Sequence, residues 1–187
     1  MTTALIVIDV QEEYFSGGLP IQFPPRDASL ERIGNAMDSA SAAGVPVVVV
    51  RHIGDPGDTV FAPDSPTIEL LSEVADRPHD LQIDKKLPGS FTGTGLQEWL
   101  EERGVDHITI VGYMTNVCCD TTARQATHLG MGATILHDAV GVPTMPGIDG
   151  QPIDPATLQG AALAPLALIG VEVLPTAEWI ANLSSPV

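Results

Sequence analysis

Three residues far apart in the chain have the types that covalent hydrolysis needs. Asp9 closes the apolar run in IVIDVQ, Lys85 lies in QIDKKLPGSF, and Cys118 lies in IVGYMTNVCCD. A free thiol titrates near ~8.5 and attacks well only as the thiolate. A helix N-terminus with unpaired N–H groups, joined by a nearby ammonium, lowers that value, and Lys85 suits the ammonium role. Asp9 can take the thiol proton, hand it to a leaving amine and then activate water. The turn Gly112–Cys118 can aim backbone N–H groups at the developing oxyanion, where losing one donor typically costs about 3 kcal/mol.

Singly, each residue has an ordinary reading. An aspartate at a strand end is a turn residue, a loop lysine is solvated, and an intracellular cysteine is a small core hydrophobe. Their placement on the elements is what joins them. Ala4–Ile8, Val45–Val50, Ile108–Val111, Ala133–Leu136 and Val171–Leu174 are apolar at nearly every position, with Leu81–Ile83 a weaker sixth. Such runs predict strands buried on both faces, as in a parallel sheet. Helical patterns occupy residues 28–43, 66–75, 94–103, 118–130, 155–168 and 176–183, and Gly44, Gly104 and Gly130 stand where helices should stop. Strand and helix alternating this way predict right-handed βαβ units. The expected fold class is α/β: a single domain over residues 1–187 with a doubly wound, mostly parallel, Rossmann-like sheet and helices on both faces. Ligands bind such sheets beyond the carboxyl ends of the strands. Asp9, Lys85 and Cys118 all fall there. The Gly-, Pro- and Asp-rich segments 53–66 and 141–155 are expected as ordered loops.

Composition narrows the function. The 187 residues are 44% hydrophobic and 17% charged, which is globular composition. The formal charge of −16 speaks against a nucleic-acid partner, because no basic stretch exists to meet phosphates. No apolar run is long enough to cross a membrane. The opening Met-Thr-Thr has neither a basic leader nor a cleavage signature, so no secretion signal is expected. Cys118 and Cys119 are the only cysteines and are adjacent, so they cannot staple distant segments or complete a four-ligand zinc site. A cytoplasmic location follows as the expectation.

These segments resemble the isochorismatase-like cysteine hydrolases. ALIVIDVQEEYF is similar to that family's opening strand, which ends in Ile-Asp-x-Gln. DKKLPGSFTGTGLQEWL resembles its lysine segment, with a lysine six residues before a phenylalanine. VGYMTNVCCDTTARQA resembles its nucleophile turn, Gly-x-x-Thr-x-x-Cys leading into a helix, and HDAV resembles its next strand end. The resemblance spans nearly the whole chain and implies the isochorismatase-like hydrolase fold. It implies Asp9, Lys85 and Cys118 as the catalytic residues, with Cys119 as buried packing and Lys86 on the surface. It also implies a cis peptide between Tyr113 and Met114, and an oxyanion hole from the N–H groups of Met114 and Cys118. Relatives in this family form dimers or larger assemblies, so a homo-oligomer is expected. The nicotinamidase branch carries an aspartate and closely spaced histidines after its second strand. RHIGDPGDTVFAPD holds His52 alone, so no metal and no cofactor are expected, and nicotinamidase activity is disfavoured.

The expected function is hydrolysis of a C–N bond in a small amide, carbamoyl or ureido compound through a thioester on Cys118. Two alternatives stand beside it: hydrolysis of a vinyl ether as in isochorismate, led by Asp9, and a non-catalytic small-molecule-binding relative. No Gly-x-Gly-x-x-Gly follows the first strand, and the thiols lack Cys-x-x-Cys spacing, so dinucleotide and redox functions are poorly supported. Gln11, Tyr14, Phe15 and Val117 are the candidate substrate contacts.

Overall fold

A computed structural model describes residues 2–183. Its strands are β1 (Thr3–Ile8), β2 (Ile21–Phe23), β3 (Val47–His52), β4 (Leu81–Lys85), β5 (His107–Tyr113), β6 (Gly132–Pro143), β7 (Met145–Pro146), β8 (Pro152–Ile153) and β9 (Glu172–Leu174). The helices are α1 (Arg26–Ala42), α2 (Ser72–Ala75), α3 (Leu96–Glu101), α4 (Asp120–His128), α5 (Pro155–Leu168) and α6 (Thr176–Leu183). Seven strands form one sheet in the order β2-β6-β5-β1-β3-β4, with β9 also on β6. Every pairing is parallel except that of β2 with β6. β1 lies between β5 and β3, and the chain winds outward from it in both directions. Asp9 therefore leaves the sheet at its middle.

The apolar runs are apolar throughout because both faces of the sheet are covered. Along β1, Leu5 and Val7 join Ile33, Ala36, Met37 and Ala40 of α1 and Trp179 of α6 in one core. Ala4, Ile6 and Ile8 point the other way, into a core with Leu96 and Leu100 of α3, Ala123 and Ala126 of α4, and Leu166 of α5. The period of two along a strand sends alternate residues to opposite layers. Burying each Leu, Ile or Val contributes about 1.5–3 kcal/mol, so the two layers supply most of the driving force. No helix among the described residues is long and apolar enough to cross a membrane.

Several elements differ from the expectation. The helix expected over 66–75 is a 3-10 turn (Pro66–Ile68) followed by one turn of α2. Residues 141–155 are not a plain loop, since β6 runs on to Pro143 and β7 and β8 form a hairpin. β6 is long because its two halves have different neighbours, β9 at Thr134–Leu136 and β2 at Val142–Pro143. The helix expected from residue 118 begins earlier, as a π-helical turn (Thr115–Cys119) that continues into α4.

Gly112 has no room for a side chain beside β1. It pairs with Ile8, its φ is +109°, and a Cβ there would lie 2.1 Å from the Ile8 carbonyl oxygen. Gly104 has a positive φ of 63° with open space around it. Gly104→Ala should cost about 1–2 kcal/mol, the ordinary cost of the left-handed region. Gly112→Ala should cost at least about 3 kcal/mol, because backbone must also move. Urea denaturation checks this, and equal losses would show that the approach of β1 to β5 is not tight.

Candidate active site

The site gathers at the carboxyl ends of β1, β4 and β5. The Asp9 N–H donates to the Val50 carbonyl, and Asp9 itself has φ +51°, a conformation aspartate tolerates better than most residues. The chain thus leaves β1 abruptly at Asp9. Lys85 ends β4 in register with His52, which ends β3. Cys118 lies in the π-helical turn just past β5. The Cys119 N–H reaches back five residues to the Met114 carbonyl, which also accepts from the Val117 N–H. Such wide turns recur at functional positions. The Tyr113–Met114 peptide is cis, as the resemblance implies.

Lys85 stands between the other two groups. Its Nζ lies 2.7 Å from Asp9 Oδ2 and 3.3 Å from Cys118 Sγ. The side chains of Lys85 and Asp9 are fully buried, and Cys118 is 6% exposed. His52 Nδ1 lies 3.2 Å from the same Nζ. Lys86 points outward to Asp55 at 3.1 Å, so Lys85 is the lysine that faces the site. The Lys85 ammonium meets one Asp9 oxygen, and the carboxylate keeps lone pairs with which to accept a proton.

Burial and neighbouring charge act on all three groups. Burial raises the Asp9 carboxyl above its usual range, although the Lys85 charge opposes this. Burial alone would push Lys85 down, but the Asp9 carboxylate and Cys118 outweigh it and hold the ammonium up. The thiol departs from the expectation. Burial, followed by the Asp9 charge, raises Cys118 well above the ordinary thiol range, and Lys85 pulls it down only in part. Lys85 thus acts in the expected direction without producing a standing thiolate. A resting site with carboxylate, ammonium and neutral thiol has no net charge. Moving the proton from Sγ to Asp9 keeps it so, which avoids creating unbalanced charge in a buried volume.

The candidate substrate contacts divide. Gln11 is fully buried and committed to the backbone: its Nε2 donates to the carbonyls of His52 (2.9 Å) and Ile68 (2.6 Å), and its Oε1 accepts from the His52 N–H at 2.8 Å. The Gln11 side chain therefore braces the backbone at His52 and Ile68. Tyr14 is buried in an aromatic group, with ring centroids 5.4 Å from Phe61 and 5.5 Å from Tyr113. Phe15 lies 6.0 Å from Tyr113 and under the Arg26 guanidinium. Val117 is half-buried, packs against both apolar layers and stands next to Cys118.

Other bracing residues carry little signal in the sequence. Ser90 and Phe91 donate their N–H groups to Thr122 Oγ1 and Gln125 Oε1, which ties the segment after Lys85 to the helix after Cys118. Thr115 Oγ1 donates to Gln159 Oε1, whose Nε2 donates to the His137 carbonyl, anchoring the π-helical turn on α5. The Thr-rich start of α4 was the one available clue. Among the described residues no group of three or more His, Cys, Asp or Glu side chains is arranged around a metal site.

Removing one member of a buried ion pair strands the other. Lys85→Met should therefore cost about 3–5 kcal/mol in urea denaturation, and adding Asp9→Asn should recover a large part of it. A double variant as unstable as the sum of the single ones would contradict the pairing.

A family model described as Isochorismatase domain matches residues 3–178. The secreted isochorismatase effector Isc1 of Verticillium dahliae is 36% identical over 88% of this chain and 83% of its own length. Nicotinamidase 3 of Arabidopsis thaliana is 32% identical over 73% of this chain and 71% of its own. The crystal structure of a candidate isochorismatase from Burkholderia xenovorans LB400 superposes with a TM-score of 0.94 at 40% identity, covering 99% of this chain and 89% of that one. A central parallel sheet wrapped by helices, with sequence likeness along nearly its whole length, makes this chain a member of the isochorismatase family of hydrolases.

Proposed function

We propose that the protein hydrolyses a C–N bond in a small amide, carbamoyl or ureido compound, through a thioester on Cys118. The observation that carries this reading is the single ammonium of Lys85, 2.7 Å from a buried carboxylate and 3.3 Å from a thiol sulfur. Asp9 takes the thiol proton as Sγ attacks the carbonyl carbon, and the N–H groups of Met114 and Cys118 receive the oxyanion. Collapse breaks the C–N bond, and Asp9 returns its proton to the departing nitrogen. Water then enters, Asp9 takes a proton from it, and the hydroxide displaces the thiolate from the acyl carbon. The thiolate recovers its proton from Asp9 and the acid leaves. Lys85 stabilises the thiolate in both halves. Holding the reacting thiol protonated until substrate arrives suits a site where a free thiolate would be costly. An amidase name among the relatives supports the bond class.

A second reading draws on the isochorismatase name carried by Isc1. There Asp9 would protonate a vinyl ether, and no acyl-sulfur bond would form. Cys118→Ala and Cys118→Ser separate the two. Thioester chemistry should fall at least about a thousandfold, as when other covalent nucleophiles are removed, whereas ether cleavage should survive. A panel of small amides, carbamoyl and ureido compounds, followed by ammonia release, reads the first outcome; retained turnover in Cys118→Ala would overturn it.

Two further outcomes are expected. An electrophile such as iodoacetamide should modify Cys118 well before Cys119, because Cys118 is 6% exposed and Cys119 is wholly buried; equal labelling in a mass-spectrometric time course would contradict this. Asp9 must be ionised to accept the thiol proton, and its pKa is raised above 3.8. Activity should therefore be lost as pH falls through a midpoint above that value. A kcat/KM profile still level at pH 3.8 would remove Asp9 from the role of base.

A further inference from the structure

The Lys85 ammonium has to face two unlike groups at once. It carries three N–H donors and no acceptor, so two contacts leave the third N–H in need of an acceptor within this buried volume. The third neighbour is His52, whose Nδ1 lies 3.2 Å away. We propose that His52 is a positioning residue: its bare Nδ1 takes the third ammonium N–H and so keeps the other two on Asp9 and Cys118. The proposal rests on the reading of Lys85 and Cys118 given above.

The imidazole is aimed from several sides. The Gln11 side chain clamps both backbone groups of His52, accepting from its N–H at 2.8 Å and donating to its carbonyl at 2.9 Å. The parallel register sets His52 directly against Lys85. The Phe61 ring meets the imidazole edge-on, with centroids 5.0 Å apart and planes at 82°. Phe61 is itself held at φ +58°, with its carbonyl accepting from the Gly54 N–H.

An ammonium has no lone pair, so this contact is a hydrogen bond only if Nδ1 carries no proton. The ring proton then sits on Nε2. Burial, then the Lys85 charge from β4, lowers His52 to about 4, against a smaller opposing effect of Asp58 in the following loop. Asp9 from β1 and Cys118 from the π-helical turn complete the groups that face the ammonium. Any residue but proline at position 52 would satisfy the Gln11 clamp through its backbone. Only the Nδ1 contact asks for a side-chain acceptor, and that distinction separates positioning from packing.

The test reads thiol chemistry and the imidazole proton, not turnover. Cys118 alkylation by iodoacetamide is followed by mass spectrometry across pH in wild type, His52→Asn and His52→Leu, with thermal melting as the check on folding. His52→Leu should slow Cys118 modification about tenfold at pH 8, the size of a one-unit upward change in thiol ionisation. His52→Asn places an amide oxygen where Nδ1 stood and should stay within about threefold of wild type. Equal rates in all three proteins, or equal losses in both variants, would overturn the proposal. If His52→Leu fails to fold, the wild type decides: nitrogen-15 NMR between pH 6 and 8 should show a neutral imidazole protonated at Nε2, and a proton on Nδ1 would overturn it. Because neither measurement needs a substrate, retained turnover in Cys118→Ala would reject the thioester reading and leave the His52 result intact.

Discussion

The buried ammonium of Lys85 is the constraint around which the rest is arranged. A lone charge in a low-dielectric interior costs several kcal/mol, and an ion pair placed there gains little over well-packed apolar side chains. The pair of Asp9 and Lys85 is therefore not what holds the protein together. The two apolar layers do that, and the pair is a charge on their stability. Its fixed geometry has to come from the elements that carry it. Asp9 is set by β1 at the middle of the sheet, Lys85 by the register of β4 on β3, and Cys118 by a turn that leaves β5. Each element is pinned by neighbours on both sides or by braces to the next segment.

The close approach of Gly112 to Ile8 is part of that pinning. β1 and β5 stay paired through this position, so Asp9 and the turn bearing Cys118 start from adjacent points of the sheet. Lys85 reaches them from the far side of β3. A long, unbranched side chain suits that span, and its stem can be buried while its head stays paired. The braces from Ser90 to Thr122 and from Phe91 to Gln125 then fix the distance between the lysine segment and the helix after Cys118. Small errors at such sites cost reactivity disproportionately, which is why the bracing extends beyond the three central residues.

The sequence carried much of this, for reasons that differ by element. The strands were legible because residues such as Leu5 to Ile8 and Val47 to Val50 are apolar on both faces, a pattern that belongs to a covered parallel sheet. α5 and α6 were legible because a cap or a proline marks their starts. β2 was hidden, since three residues between prolines have no period to detect, and its pairing depends on the far half of β6. The helical pattern over 66–75 was local propensity overridden by packing onto the site loops. Within the site, residue type and spacing brought out Asp9, Lys85 and Cys118. The partners of Gln11 and His52 were not visible, because a brace and a ligand contact use the same side chains and differ only in where those partners lie.

The thiol illustrates what spacing leaves out. Seen along the chain, a cysteine near a helix start with a lysine nearby suggests a lowered pKa. In three dimensions the same cysteine is buried and shares its surroundings with a carboxylate, and those two effects exceed the pull of the ammonium. The sign of the shift is thus set by burial and by Asp9, neither of which the neighbourhood of Cys118 in sequence contains. Yet the reversal fits the proposed chemistry. A thiol that ionises only by passing its proton to an adjacent carboxylate leaves the buried charge balanced before and after. The reactive species then exists only within the attack itself, when an electrophilic carbon is present to share its charge. In the proposed scheme nucleophile and base act as one unit, and the ammonium serves both by keeping its own proton throughout.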